Sequence, residues 1–138
     1  MNCSLDLIDA VDYYFYIMWE DSNKRIYPVG IFAHIDNIYY LKISQNNEAR
    51  ANGFIGIPSF YDTKLYKSEK TLFDFFIRRL PKDKDCTDTV YTLLKETASK
   101  TQNDSVSLKE VPKEKHALFN KILLALDNNI LTDIDEYL

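Results

Sequence analysis

The amino-acid sequence predicts a single α+β domain in which an antiparallel β-meander packs against a few α-helices. The main observation is a change of hydrophobic period along the chain. Residues 13–44 are rich in aromatic and β-branched side chains, with apolar residues at alternate positions, as in strands, whereas apolar residues in 71–80 recur at helical spacings. The length of 138 residues suits one domain that buries its core without disulfides or metal.

The first third of the chain predicts three antiparallel strands. Tyr13 to Trp19 is an unbroken apolar run rich in aromatic residues. In Arg25 to Ile35, apolar residues stand at alternate positions. Ile38 to Ser44 pairs back across a tight turn at residues 36–37. Pro28 places the second strand at an edge or an irregularity, because proline cannot donate to a ladder. We expect one apolar face on this strand, made of Tyr27, Val29, Ile31, Ala33 and Ile35.

The segment from Thr71 to Pro81 predicts the helix around which the domain is organised. Thr71 and Asp74 stand at capping-box spacing, and Pro81 ends the helix because it lacks an amide hydrogen. A helix would place five apolar residues on one stripe, which the rest of the fold must cover. These residues are Leu72, Phe73, Phe76, Ile77 and Leu80.

A short helix and an ordered apolar loop are expected between the meander and the central helix. Gln45 to Asn52 is polar, and Asn52 and Gly53 are suited to a left-handed helix cap. The loop that follows is broken by Gly56 and Pro58. Its apolar side chains are Phe54, Ile57 and Phe60.

The last third of the chain predicts a helix from about Thr87, a short strand around Val106 and Leu108, and a final helix after Pro112. We therefore assign residues 1–112 to the α+β domain and residues 113–138 to a C-terminal helical extension that packs on it or is used for association. The expected inner face of the first of these helices is Val90, Leu93, Leu94 and Ala98. That of the final helix is Ala117, Leu118, Ile122, Ala125 and Leu126.

Charge and composition argue against several classes of function. A formal net charge of −4 provides no basic face for nucleic acid or for an anionic membrane. With only three glycines, the chain has no Gly-rich loop for phosphate. Cys3 and Cys86 have no metal-ligand spacing around them and are expected to be free thiols in a reducing compartment. The chain shows no leader and no apolar run of membrane length, so we expect a cytoplasmic protein.

No catalytic constellation stands out in the sequence. His34 and His116 have no nucleophile motif near them. Asp83, Asp85 and Asp88 fit a solvated turn and a helix N-terminus better than a cation site, because hard cations need more oxygen ligands at tighter spacing. We therefore expect no enzymatic activity, no catalytic residue, no cofactor and no metal.

Three surfaces are candidates for binding a partner. The first is the apolar loop with Phe54, Ile57 and Phe60. The second is a basic cluster at Arg78 and Arg79, beside Lys82 and Lys84, for which a solvated helix end is the alternative. The third is the acidic, amphipathic C-terminal segment, which either packs on the domain or offers its apolar side to a partner groove or to a second copy in a homodimer. We expect that its removal lowers stability only slightly. Its apolar residues are Ile130, Leu131, Ile134, Tyr137 and Leu138.

Three segments of the chain, taken in their order along the sequence, can be compared with a known family. They are Tyr16 to Gly30, Glu48 to Phe60 and Ser68 to Pro81. In this order they resemble the N-terminal subdomain of HipA-type serine/threonine kinases, in the version also found ahead of HIRAN domains. Leu93 to Val111 fits the helix, loop and strand that follow. The kinase core itself is absent, and the residues after Pro112 match neither a HIRAN domain nor a kinase lobe.

This resemblance implies a non-catalytic protein-interaction module. In the family, the isolated subdomain can occur as a separate small protein that binds and restrains the matching kinase. The implied role is therefore an antitoxin-like or regulatory subunit that binds a HipA-like kinase or another protein partner. The HIRAN association leaves an alternative, an accessory module of a nucleic-acid processing or defence system, which the net charge opposes.

Overall fold

A five-stranded antiparallel sheet with helices on both faces forms the protein in the computed structural model, which describes residues 11–45, 47–69, 71–80, 90–97 and 105–138. The strand order is β4-β3-β2-β1-β5, so the predicted α+β fold with an antiparallel meander is confirmed. The strands are β1 (Tyr13–Glu20), β2 (Ile26–Ile35), β3 (Ile38–Ile43), β4 (Leu65–Glu69) and β5 (Val106–Glu110). The helices in the described part are α1 (Asn47–Ala51), α2 (Asp74–Ile77), α3 (Val90–Thr97) and α4 (His116–Asp127).

The turn between β1 and β2 is organised by the buried carboxylate of Asp21. Its Oδ1 accepts from the amides of Asn23 at 2.8 Å and Arg25 at 3.0 Å, and its Oδ2 accepts from the Tyr27 hydroxyl at 3.1 Å. An aspartate that bonds the backbone in this way replaces the ladder hydrogen bonds that the turn interrupts.

A β-bulge in β2 divides its apolar residues between the two faces of the sheet. The pair of Ile17 and Gly30 is followed directly by the pair of Met18 and Pro28, so Val29 is an extra residue. One extra residue reverses the side-chain alternation beyond it, because the period of a strand is two. The predicted single apolar face is therefore wrong, although Pro28 does mark an irregularity. Tyr27 and Val29 lie in one core cluster, and Ile31, Ala33 and Ile35 lie in the other.

The first core cluster fills the face of the sheet under α2, α3 and the loop before β4. Phe76 is its central contact, since its ring stacks on that of Phe32 with the centroids 4.1 Å apart. All five residues of the predicted stripe contact this cluster: Leu72, Phe76 and Leu80 are buried, and Phe73 and Ile77 are partly buried.

The central helix itself is shorter than predicted. Only Asp74–Ile77 is α-helical, and the N-cap residue is Phe73, whose side chain makes no capping bond. Ser68 Oγ donates to the carbonyl of Thr71, and the helix begins two residues later than a Thr71 cap would place it. The prediction of the core residues is thus confirmed, and the prediction of the cap is wrong.

The second core cluster fills the opposite face under α4 and the C-terminal tail, residues 130–138. Its inner face is Phe119, Ile122, Leu123 and Leu126, at spacings of three, four and seven. Ala117 and Leu118, predicted to point inward, are exposed. Two overlapping stripes were compatible with the sequence, and the one that buries the large ring of Phe119, edge-on against Tyr16, is adopted.

The remaining predictions were met in part. In α3, Val90, Leu93 and Leu94 are buried as expected, whereas Ala98 lies outside the described residues. The helix α1 ends as predicted, with Gly53 at φ +108. The edge strand β4 was missed, because its five residues are half-exposed and mix polar with apolar side chains.

Candidate partner-binding surface

The loop between α1 and β4 gives its large side chains to the core. Phe54, Ile57 and Phe60 are all buried in the first cluster. A tight turn holds them, in which the Phe60 amide donates to the Ile57 carbonyl at 2.8 Å. These three side chains therefore form no surface for a partner in this fold, contrary to the sequence-based hypothesis. Apolar side chains of a loop become buried where they pack on a part of the sheet that no helix covers.

The outer side of this loop is nevertheless apolar. Ile55 is 73% exposed and Tyr61 is 61% exposed, one on each side of the turn at Pro58 and Ser59. Gly56 brings the two ends of the loop together, since a Cβ there would lie 2.9 Å from Tyr61 Cα. The loop therefore presents two large exposed side chains from adjacent backbone.

The two arginines of the predicted basic cluster have different roles. The guanidinium of Arg79 lies 4.9 Å from the ring centre of Phe75 and donates to the Val106 carbonyl, which ties α2 to the edge strand β5. Arg78 is exposed to solvent. The structure thus gives Arg79 a structural contact and leaves Arg78 as the cation on the outside of α2.

The loop and the arginines, which the sequence presents as separate candidates, form one surface. A shallow depression of about 260 Å³ lies between them. We call this region the loop–helix surface and define it by Ile55, Pro58, Tyr61, Phe75 and Arg78. The depression itself is lined by Pro58, Ser59, Asp74, Phe75, Arg78 and Arg79.

The C-terminal tail packs on the sheet and does not present its apolar side to solvent. Ile134 is 0% exposed within the second cluster. Leu131, Tyr137 and Leu138 are partly buried against the same cluster, and only Ile130 is open, at 80% exposure. Of the two alternatives that the sequence left open, these contacts agree with the tail that packs on the domain, because its apolar residues other than Ile130 lie against the second cluster.

Polar contacts also attach the tail to the sheet. Asp133 Oδ1 accepts from the Gln45 amide at 3.2 Å, and Lys67 Nζ of β4 lies 3.0 Å from Asp127 at the end of α4. Burial and a hydrogen bond with Asp133 raise the pKa of Asp135. Burial alone would also raise the pKa of Asp133, but the bonds it accepts from Asp135 and from backbone amides outweigh burial and lower it.

Lys42 is the one buried lysine among the residues that the structure describes, at 2% exposure. Its side chain lies on the face of the sheet that is covered by α4 and the tail. The sequence carries one signal for the burial of this face: the neighbouring strand β2 has apolar residues on both faces. A strand that is apolar on both sides indicates a sheet that is covered on both faces. Lys42 therefore lies against the second cluster beside a cleft.

Each of the two histidine rings lies within hydrogen-bond distance of a backbone carbonyl. His34 Nδ1 lies 2.8 Å from the Val11 carbonyl, and His116 Nε2 lies 3.0 Å from the Val111 carbonyl. No group of three His, Cys, Asp or Glu side chains in the described ranges is arranged to hold a metal. Cys3, Cys86, Lys82, Lys84, Asp83, Asp85 and Asp88 lie outside those ranges.

Comparison of the chain with known protein families, curated proteins and solved structures gave no match. Within the described part, no helix combines the length and apolar character needed to cross a membrane.

Proposed function

We propose that the protein is a non-catalytic binding module that recognises another protein through the loop–helix surface. The observation that supports this most directly is the exposure of Ile55 and Tyr61 on a loop whose Pro58 and Ser59 line one depression with Phe75 and Arg78. Single exposed apolar residues are ordinary, but here two of them belong to the loop that forms one wall of this depression. Aromatic and arginine side chains around an apolar centre are typical of the residues that dominate binding energy in protein interfaces.

The proposed partner is a HipA-like kinase, which this protein would bind as an antitoxin-like or regulatory subunit. The resemblance of three segments to the N-terminal subdomain of such kinases supports this choice. The chemistry of the surface adds that the partner's face should be apolar at its centre and carry a carboxylate opposite Arg78. This proposed binding role requires that the loop–helix surface is correctly folded. It does not require the protein to catalyse a reaction.

The test is binding of the purified protein to a HipA-like kinase core from which its own N-terminal subdomain has been removed. Calorimetry should show saturable binding, and Tyr61→Ala should weaken it by roughly 30-fold, which is the effect of losing a hot-spot residue. Leu124→Ala is the matched control, because Leu124 is a similarly exposed apolar residue on α4, on the other side of the sheet. It should bind like the unchanged protein.

A charge variant examines the role of the cation. Arg78→Glu should weaken binding and reverse its dependence on salt, whereas Arg78→Lys should retain most of the affinity. Equal binding by Tyr61→Ala and Leu124→Ala would show that the interface lies elsewhere.

Two further outcomes would replace the proposed partner. A homodimer in light scattering that dissociates in Tyr61→Ala would make a second copy of the chain the occupant of this surface. Saturable, salt-dependent binding to an oligonucleotide, with none to the kinase core, would favour the nucleic-acid accessory module.

A further inference from the structure

The amine of Lys42 lies in an unusual setting for a lysine. Its strand partners are Ile31 on β2 and Leu65 on β4, and directly paired residues in antiparallel strands share a face. Its Nζ donates to the Thr63 carbonyl, which is the single hydrogen bond that this amine makes within the described residues. A lysine amine has up to three N–H donors, so the residues that the structure describes provide an acceptor for only part of its capacity.

A cleft of about 550 Å³ opens beside this side chain. Its walls come from β3, from the loop before β4, and from the end of α4 with the start of the tail. This volume is within the range of natural small-molecule sites. The lining includes Lys42, Asp62, Thr63, Lys67, Asp127 and Leu131.

The charges around the cleft favour a neutral ligand. Asp62, Asp133 and Asp135 are close enough to Lys42 to interact with it electrostatically, and they would repel an anion. Lys67 is already paired with Asp127 at 3.0 Å, and Lys42 itself would repel a cation. A polar molecule without net charge is repelled neither by the aspartates nor by Lys42.

Burial also changes the protonation equilibrium of this amine. Burial lowers the pKa of Lys42, although the three aspartates act in the opposite direction. A lower pKa leaves more of the amine unprotonated and nucleophilic near neutral pH. Burial also raises the pKa of Asp135, which is close enough to Lys42 to interact with it electrostatically.

We propose that the cleft binds a small neutral aldehyde or ketone and that Lys42 forms an imine with it. The nitrogen lone pair attacks the carbonyl carbon, a C–N bond forms, the carbonyl π electrons move to oxygen, and a proton passes from nitrogen to that oxygen to give a neutral carbinolamine. The nitrogen lone pair then forms the C=N bond while the hydroxyl group leaves as water, with one proton supplied by the carboxyl pair. The products are a protonated imine and water, and the step needs no oxidant or reductant.

The experiment uses the full chain with propanal as the probe and sodium cyanoborohydride as the trap. Hydride from the trap reduces the imine to a secondary amine, so the modified lysine gains the mass of propanal less its oxygen. Peptide mass spectrometry then gives the rate at each lysine. We expect Lys42 to be modified at least about tenfold faster at pH 7 than the exposed Lys121, and its rate to saturate with propanal.

A variant pair completes the test. Lys42→Arg should remove the saturable adduct, whereas Lys121→Arg should keep it. Because rates at all lysines are compared within the unchanged protein, the result does not depend on how well Lys42→Arg folds. Modification that follows solvent exposure, with Lys42 unmodified or slower than Lys121, would overturn the proposal. This outcome is independent of the proposed protein partner, whose surface lies on the other face of the sheet.

Discussion

Replacing Ile134 with alanine should destabilise the protein by about 2–5 kcal/mol, the usual cost of truncating a large buried aliphatic side chain. Ile134 is 0% exposed in the second core cluster, and the tail that carries it is anchored on both sides of this residue. The upper part of this range is expected if the neighbours cannot close the cavity. The same tail offers a matched control in Ile130, which is 80% exposed. Ile130→Ala should change the free energy of unfolding by less than about 0.5 kcal/mol.

Urea unfolding would measure both variants, with two probes on the same samples. Trp19, the single tryptophan, packs on the first cluster, and far-ultraviolet circular dichroism reports the whole fold. If the two faces of the sheet unfold together, both probes should give the same midpoint and the same loss in Ile134→Ala. Equal, small losses in the two isoleucine variants would refute the inference that the tail is core. A shift in dichroism without a shift in Trp19 fluorescence would refute the cooperativity of the two faces.

Two further predictions concern the first face and the β1–β2 turn. Phe76→Ala should lower the free energy of unfolding in urea by about 3–5 kcal/mol, because it leaves a cavity beneath α2. An unchanged urea midpoint would contradict the central position of this ring in the first core cluster. Burial alone would raise the pKa of Asp21, but the bonds it accepts from two backbone amides and from Tyr27 outweigh burial and lower it. The stabilisation by Asp21 is therefore present above its unfolded pKa, near about 4, and is lost as pH falls through the lower folded value. Asp21→Asn should be less stable than the unchanged protein at pH 7, and the difference should shrink in acid; a constant difference across that range would contradict this assignment.

The candidate surface was only partly predictable from the sequence. The residues around Phe54 and Phe60 were identified as an ordered apolar loop, but the pattern does not tell which side of a loop faces inward. The exposed pair, Ile55 and Tyr61, was consequently missed. Arg78 and Arg79 were found together as a basic cluster, yet only the contacts with Phe75 and with β5 separate the structural arginine from the exposed one.

What the sequence by itself determined is the set of local elements. The meander, the apolar stripe around Phe76, the last two helices and the final strand follow from periods of two and 3.6, which neighbouring residues establish without reference to the rest of the chain. The tertiary structure decided which faces these elements cover. The bulge at Val29 moves half of β2 to the other face, and residues 113–138 then cover that face. The burial of Ile134 and of Lys42 follows from this covering. Their environments come from segments about ninety residues apart in the chain, such as the contact of Gln45 with Asp133, and no local period carries that information.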